Sequence, residues 1–101
     1  MNILKLKDGV KVPVNFDATR LVIRDNLEML YVKLKPNEHI EPHTNSSDMI
    51  MYVISGSGEF GYNGQTHQIV KETVISVEKN VQREWKNIGH EELHLLVTKL
   101  L

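Results

Sequence analysis

Read only as hydrophobic and polar positions, the chain alternates with a period of two in almost every segment that carries apolar residues. That period belongs to strands, whose successive side chains point to opposite faces. Met49 to Ser55, MIMYVIS, is the clearest case, with Met49, Met51 and Val53 on one face and Ile50, Tyr52 and Ile54 on the other. Leu27 to Lys35 alternates Leu27, Met29, Tyr31 and Lys33 with Glu28, Leu30, Val32 and Leu34. Both of its faces are largely apolar, which predicts a strand covered on both sides. Thr19 to Arg24 places Leu21 and Ile23 together, Thr73 to Val77 is a β-branched run, and Val81 to Asn87 aligns Arg83, Trp85 and Asn87. Leu93 to the C-terminus reads as a last strand, with a helical tail HEELHLLVTKLL as the structural alternative.

Between these runs lie turn residues. Asp25-Asn26, Pro36-Asn37, the polar loop TNSSD at 44–48 and Gly56-Ser57-Gly58 interrupt the pattern. Asn63-Gly64 is the strongest two-residue hairpin signal, and Asn80 in Glu78-Lys79-Asn80 suits a left-handed turn position. Glu38 to Asn45 is extended, and Pro42 inside it points to an edge or irregular strand. Many short strands with turn signals between them predict an all-β sandwich or barrel. No linker divides the chain, so residues 1–101 form one domain.

Composition narrows the function classes. Twelve Lys and Arg are scattered among thirteen Asp and Glu with no basic run, which argues against a nucleic-acid partner. The absence of cysteine excludes disulfides, a thiol nucleophile and thiolate-ligated metal. The opening MNILKLKDG is broken by Lys5 and Lys7, too short a stretch for a signal sequence. No apolar run approaches the ~18 residues of a membrane span. The expectation is a cytoplasmic protein with no membrane partner.

Candidate chemistry gathers between Pro36 and Gly64. In an extended segment His39, Glu41, His43 and Asn45 fall on one face. His39 and His43 are about 13 Å apart along a strand, too far to grip one ion unless Pro42 bends the chain. If a metal binds, His43 would be joined by Glu41, Asn45 or Asp48. His43 is also the candidate general base, with Glu41 the nearby orienting group. His90-Glu91-Glu92-Leu93-His94 spells HExxH, but Gly89 precedes it and no His, Asp or Glu follows, so a zinc-protease reading is rejected. Met49 and Met51 read as core residues. The outer row Ile50, Tyr52 and Ile54 is too apolar to face water, so a second subunit or the other sheet is expected to cover it.

At this point the chain resembles a small single-domain cupin of the conserved-barrel type, over about residues 27–97. The family's first motif is Gly, five residues, His-x-His, three or four residues, Glu, six residues, Gly. Here Asn37 takes the place of the first glycine, His43 and Asn45 of the histidines, Met49 of the glutamate, and Gly56 matches the last. The second motif, Gly, five residues, Pro-x-Gly, two residues, His, three residues, Asn, falls on Glu72, Glu78, Asn80, Arg83 and Asn87. Every spacing fits without a gap. The resemblance implies a jelly-roll β-barrel (a double-stranded β-helix), commonly paired as a homodimer. Of the four residues with which such proteins hold a metal, His43 alone is kept; Asn45, Met49 and Arg83 replace the others.

No cofactor is therefore expected. If the barrel sets Arg83 opposite His43, as the resemblance implies, the pocket comprises His39, Glu41, His43, Asn45, Arg83 and Trp85, and suits a small polar or anionic molecule. The bland alternative is an Arg83–Glu41 ion pair that only satisfies the interior. Two rivals to a binding domain stay open. One is an isomerase, epimerase or dioxygenase-like enzyme using His43 as base or within a non-standard metal site. The other is a structural or regulatory partner protein without a ligand.

Overall fold

The strands pair as the rungs of one long hairpin rolled into a barrel. The computed structural model describes all 101 residues. A single 3₁₀ turn at Leu6–Asp8 precedes β1 (Val10–Lys11), β2 (Asp17–Arg24), β3 (Leu27–Leu34), β4 (His39–His43) and β5 (Asp48–Ser55). Then come β6 (Ser57–Tyr62), β7 (Gln65–Val70), β8 (Val74–Val77), β9 (Arg83–Lys86) and β10 (Leu93–Leu100). β6 and β7 meet across Asn63-Gly64, and β5 with β8, β4 with β9 and β3 with β10 nest outside them, all antiparallel. Rolling this hairpin deals its rungs alternately into two sheets, β1-β2-β3-β10-β5-β8 and β4-β9-β6-β7. That is the jelly-roll topology.

The turns explain why the roll closes where it does. Asn63 (φ 48°) and Gly64 (φ 84°) both have positive φ, as a two-residue type I′ hairpin requires. Three positions that hold glycine in the cupin pattern keep the left-handed backbone with other residues: Asn37 (φ 71°), Glu72 (φ 64°) and Asn80 (φ 65°). Gly56 (φ 79°) keeps glycine, because a Cβ there would lie 2.4 Å from the Glu92 carbonyl oxygen. Asn87 is wholly buried and works as a clasp. Its amide donates to the carbonyls of Leu34 (2.9 Å) and Glu91 (2.8 Å) and accepts from the Gly89 N–H (3.0 Å).

One expectation about covered faces is corrected, for β3, and one is narrowed, for β5. There the other sheet does not cover the outer row, and a second subunit remains the expected cover. β3 buries one side only: Glu28, Leu30, Val32 and Leu34 point inward, while Met29, Tyr31 and Lys33 stay half-buried outside. On β5 the facing sheet covers Met49, Met51 and Val53, and leaves Ile50, Tyr52 and Ile54 exposed at 39%, 37% and 36%. The C-terminus is strand, not helix, because β10 fills the gap between β3 and β5. His94 therefore does not share a helical face with His90; it hydrogen-bonds Tyr31 Oη through Nδ1 and Glu92 through Nε2. Leu34, Val53, Phe60 and Leu93 pack one part of the interior solid. The other part is open.

Candidate ligand-binding site

A bulge in β4 sets the first wall of that opening. Ile40 pairs with Trp85 and His43 with Arg83, and the register shifts between the two pairs. The shift falls at Glu41-Pro42, where proline has no N–H to give the ladder. Alternation fails across it. Ile40, Glu41 and His43 all border the cavity, as does Asn45 beyond the strand end. His39, opposite Lys86, is exposed and does not border it. The predicted single face of His39, Glu41, His43 and Asn45 thus splits, with His39 left outside.

The cavity has a volume of about 440 Å³, and twelve of its eighteen lining residues are hydrophobic. Ala18, Leu30, Val32, Leu95 and Val97 come from the six-stranded sheet, and Trp85 from the four-stranded one. Val12, Val14 and Phe16, from the segment between β1 and β2, also border it. Pro13 interrupts a regular strand here, and the alternation of Val12, Val14 and Phe16 is the signal that the sequence carries for this wall.

Arg83 supplies the cation. It is only 2% exposed and sits on the cavity wall. Nε donates to the Val81 carbonyl (3.1 Å), one terminal nitrogen to the Glu78 carbonyl (2.8 Å) and the other to the Met49 sulfur (2.9 Å). Of five N–H groups, two, one on each terminal nitrogen, have no acceptor in the protein. No carboxylate lies within ion-pair distance, so the expected alternative of an Arg83–Glu41 pair is not formed. Burial pushes the guanidinium below its usual value, partly countered by the carboxylates of Glu78 and Asp48. It stays charged at neutral pH, since arginine does not lose its proton in proteins.

Neighbouring bonds fix the surroundings. Tyr62 donates its hydroxyl to the Glu78 carboxylate, which holds that carboxyl below the usual range and pushes the phenol up. The Lys79 N–H donates to Asp48 (2.8 Å), and the Asn80 N–H to the Asn45 carbonyl (2.8 Å). The turn beneath Arg83 is thereby tied to β5, β6 and the loop after β4. His43 Nδ1 lies 2.9 Å from the Glu41 carbonyl, an acceptor only, so Nδ1 carries a proton and donates it there. The Trp85 indole N–H donates to the Met51 sulfur at 3.5 Å, and its ring packs 4.9 Å from that of Phe60.

The four positions that carry metal in the cupin pattern do converge: His43 faces Arg83, Arg83 touches Met49, and Asn45 borders the same cavity. Their chemistry does not fit a divalent ion. One imidazole, an amide and a thioether are a poor donor set, and the guanidinium repels a cation. No three His, Cys, Asp or Glu side chains cluster to hold one. Asp48, the alternative carboxylate, accepts from Lys79 and does not border the cavity.

The fold and this convergence define a cupin, and the chain belongs to the cupin domain family, whose model matches residues 30–99. No curated protein matches it by sequence. Among solved structures, a predicted oxalate decarboxylase from Thermotoga maritima superposes with a TM-score of 0.89 at 17% identity, covering 99% of each chain. The polyketide cyclase RemF from Streptomyces resistomycificus gives 0.87 at 16% identity, over 99% of this chain and 79% of that one. The cupin domain of Schizosaccharomyces pombe Cnp3 gives 0.83 at 19% identity, over 90% and 68%. The first two are described with different activities and the third with none, so the likeness shows the fold and no single function.

Proposed function

We propose that this cupin binds a small organic anion inside its barrel, without the metal ion common in the family. The observation that carries the reading is Arg83: a buried cation with no carboxylate partner, on the wall of an otherwise mostly apolar cavity. A buried charge needs a partner, and a mobile anion can be that partner. His43 and Asn45 complete the polar end, and Trp85 offers an aromatic wall. Glu41 borders the mouth, and His39 has no part in the pocket. The exposed apolar row Ile50, Tyr52 and Ile54 favours a homodimer that would cover it.

The test is a thermal-shift screen of carboxylates, phosphates and nucleotides on chelator-treated protein purified without a histidine tag. A ligand selective for the native state must raise the melting temperature. At least one anion is expected to do so, and EDTA is expected to leave the shift intact. Stoichiometric metal that His43→Ala removes, or no hit at all, would overturn the reading.

A second reading, an enzyme with His43 as proton-transfer group, is favoured by one observation: the Glu41 carbonyl holds the Nδ1–H, which leaves Nε2 as the ring nitrogen available to a substrate. Turnover of a screened ligand, abolished by His43→Gln while binding persists, would establish it.

A further inference from the structure

Resting on that binding reading, we infer that the Arg83 guanidinium replaces the metal as the barrel's fixed cation, and that the ligand is a monocarboxylate with an apolar body. Charge sets the valence. Lys99, the other cation on the wall, is engaged by Glu28 at 3.5 Å, and Glu41 is exposed and unpaired with Arg83. Arg83 is the wall cation that no carboxylate reaches at ion-pair distance, while Glu78 and Asp48 lie near enough to act on it from outside the cavity. The site therefore accommodates one negative charge more readily than two. A phosphate dianion would bring a second charge into an apolar chamber with no second unengaged cation to meet it.

Donor geometry selects the head group. The two unused N–H groups sit on the two terminal nitrogens, and a carboxylate takes such a pair through its two oxygens. The third occupant of the fork is a thioether, a weak acceptor, so Met49 yields to an incoming oxygen at little cost.

The walls select the body. Val12, Phe16, Ala18, Leu30, Val97 and Trp85 offer carbon to whatever extends from the head group. A sugar would bury hydroxyls there without partners. A chamber of about 440 Å³ lies toward the small end of ligand pockets. It suits a short aliphatic or an aryl acid.

The experiment is calorimetric titration of the chelator-treated full chain with matched probes: phenylacetate against phenylacetamide, hexanoate against hexanamide, hexanoate against butyrate, and phenyl phosphate. Each acid is expected to bind about ten- to a hundredfold tighter than its amide, the range of a hydrogen bond to a charged group. Hexanoate should exceed butyrate by roughly tenfold through its two added methylenes. Phenyl phosphate should be the weaker of the two aryl anions. Arg83→Gln is expected to erase the acid–amide difference, and should that variant not fold, the probe pairs on the native chain decide alone. An amide that binds as well as its acid, or phenyl phosphate binding tighter than phenylacetate, overturns the inference and leaves the pocket reading standing. If no probe binds, both fall.

Discussion

The guanidinium of Arg83 donates to the thioether of Met49 across 2.9 Å. In the cupin pattern these two positions carry a histidine and a glutamate that share a metal. The barrel has kept the meeting point and exchanged its contents. A cation is still present, now covalently part of β9 and always charged.

Met49→Glu is the first test of that exchange. A carboxylate there would pair with Arg83 from within and occupy the anion's place. The variant is expected to fold, to gain thermal stability relative to Met49→Gln, and to lose at least tenfold in phenylacetate affinity by calorimetry. Undiminished affinity would mean that the anion sits elsewhere.

The convergence of the four positions can be tested by reversal. Asn45→His, Met49→Glu and Arg83→His together with the native His43 provide three imidazoles and a carboxylate, a donor set suited to a first-row divalent ion. The triple variant should bind Co²⁺ or Zn²⁺ with one-to-one stoichiometry by calorimetry, while the native chain does not. A triple variant that folds but takes up no metal would show that the side chains do not point to a common centre.

Glu72 is held at φ 64° by its N–H bond to the Val53 carbonyl (2.7 Å), with its side chain in solvent. A left-handed backbone costs a residue with a Cβ about 1–2 kcal/mol, and glycine's greater freedom when unfolded returns part of that. Glu72→Gly should therefore stabilise the fold by about 0.5–1 kcal/mol in urea denaturation. Asn87→Ala should do the opposite. It strips the donors from the Leu34 and Glu91 carbonyls and should cost about 2–4 kcal/mol.

The Tyr62–Glu78 hydrogen bond gives the turn beneath Arg83 a pH range. Glu78 is held below its usual value near 4.5 by the phenol, so its contribution is present above that value and lost as pH falls through the folded-state value. Tyr62 is raised above its usual value near 10.0 by the carboxylate, so its contribution is present below that value and lost as pH rises through the folded-state value. Burial raises the Tyr31 phenol too, so absorbance titration at alkaline pH in a Tyr31→Phe background should show a late-ionising tyrosine that Glu78→Gln moves earlier. A titration unchanged by Glu78→Gln would contradict the assignment.

How far these features could be read beforehand depended on whether a side chain announced them. Period-two alternation located β3, β5 and β9, and Asn63-Gly64 marked the hairpin tip, since both signals arise from the residues themselves. Asn80 announced its left-handed turn; Glu72, in the same conformation, did not, because nothing in a glutamate signals it. The His39–Asn45 face failed at Pro42, where a bulge, invisible to a strict alternation, turned Ile40 and Glu41 to the same wall. Arg83 lies opposite His43, as the resemblance implies, but its lack of an ion-pair partner depends on where Glu41 lies, a tertiary fact. The Val12–Phe16 wall was hidden by Pro13, which removes the strand without removing the apolar alternation.

The most direct measurement of the central claim is the ¹⁵N spectrum of the arginine side chains, of which the chain has only those of Arg20, Arg24 and Arg83. With EDTA present, added phenylacetate is predicted to shift and sharpen the Arg83 guanidinium signals, leave those of Arg20 and Arg24 in place, and have no such effect when replaced by phenylacetamide. Binding of phenylacetate with the Arg83 signals unmoved would contradict the account.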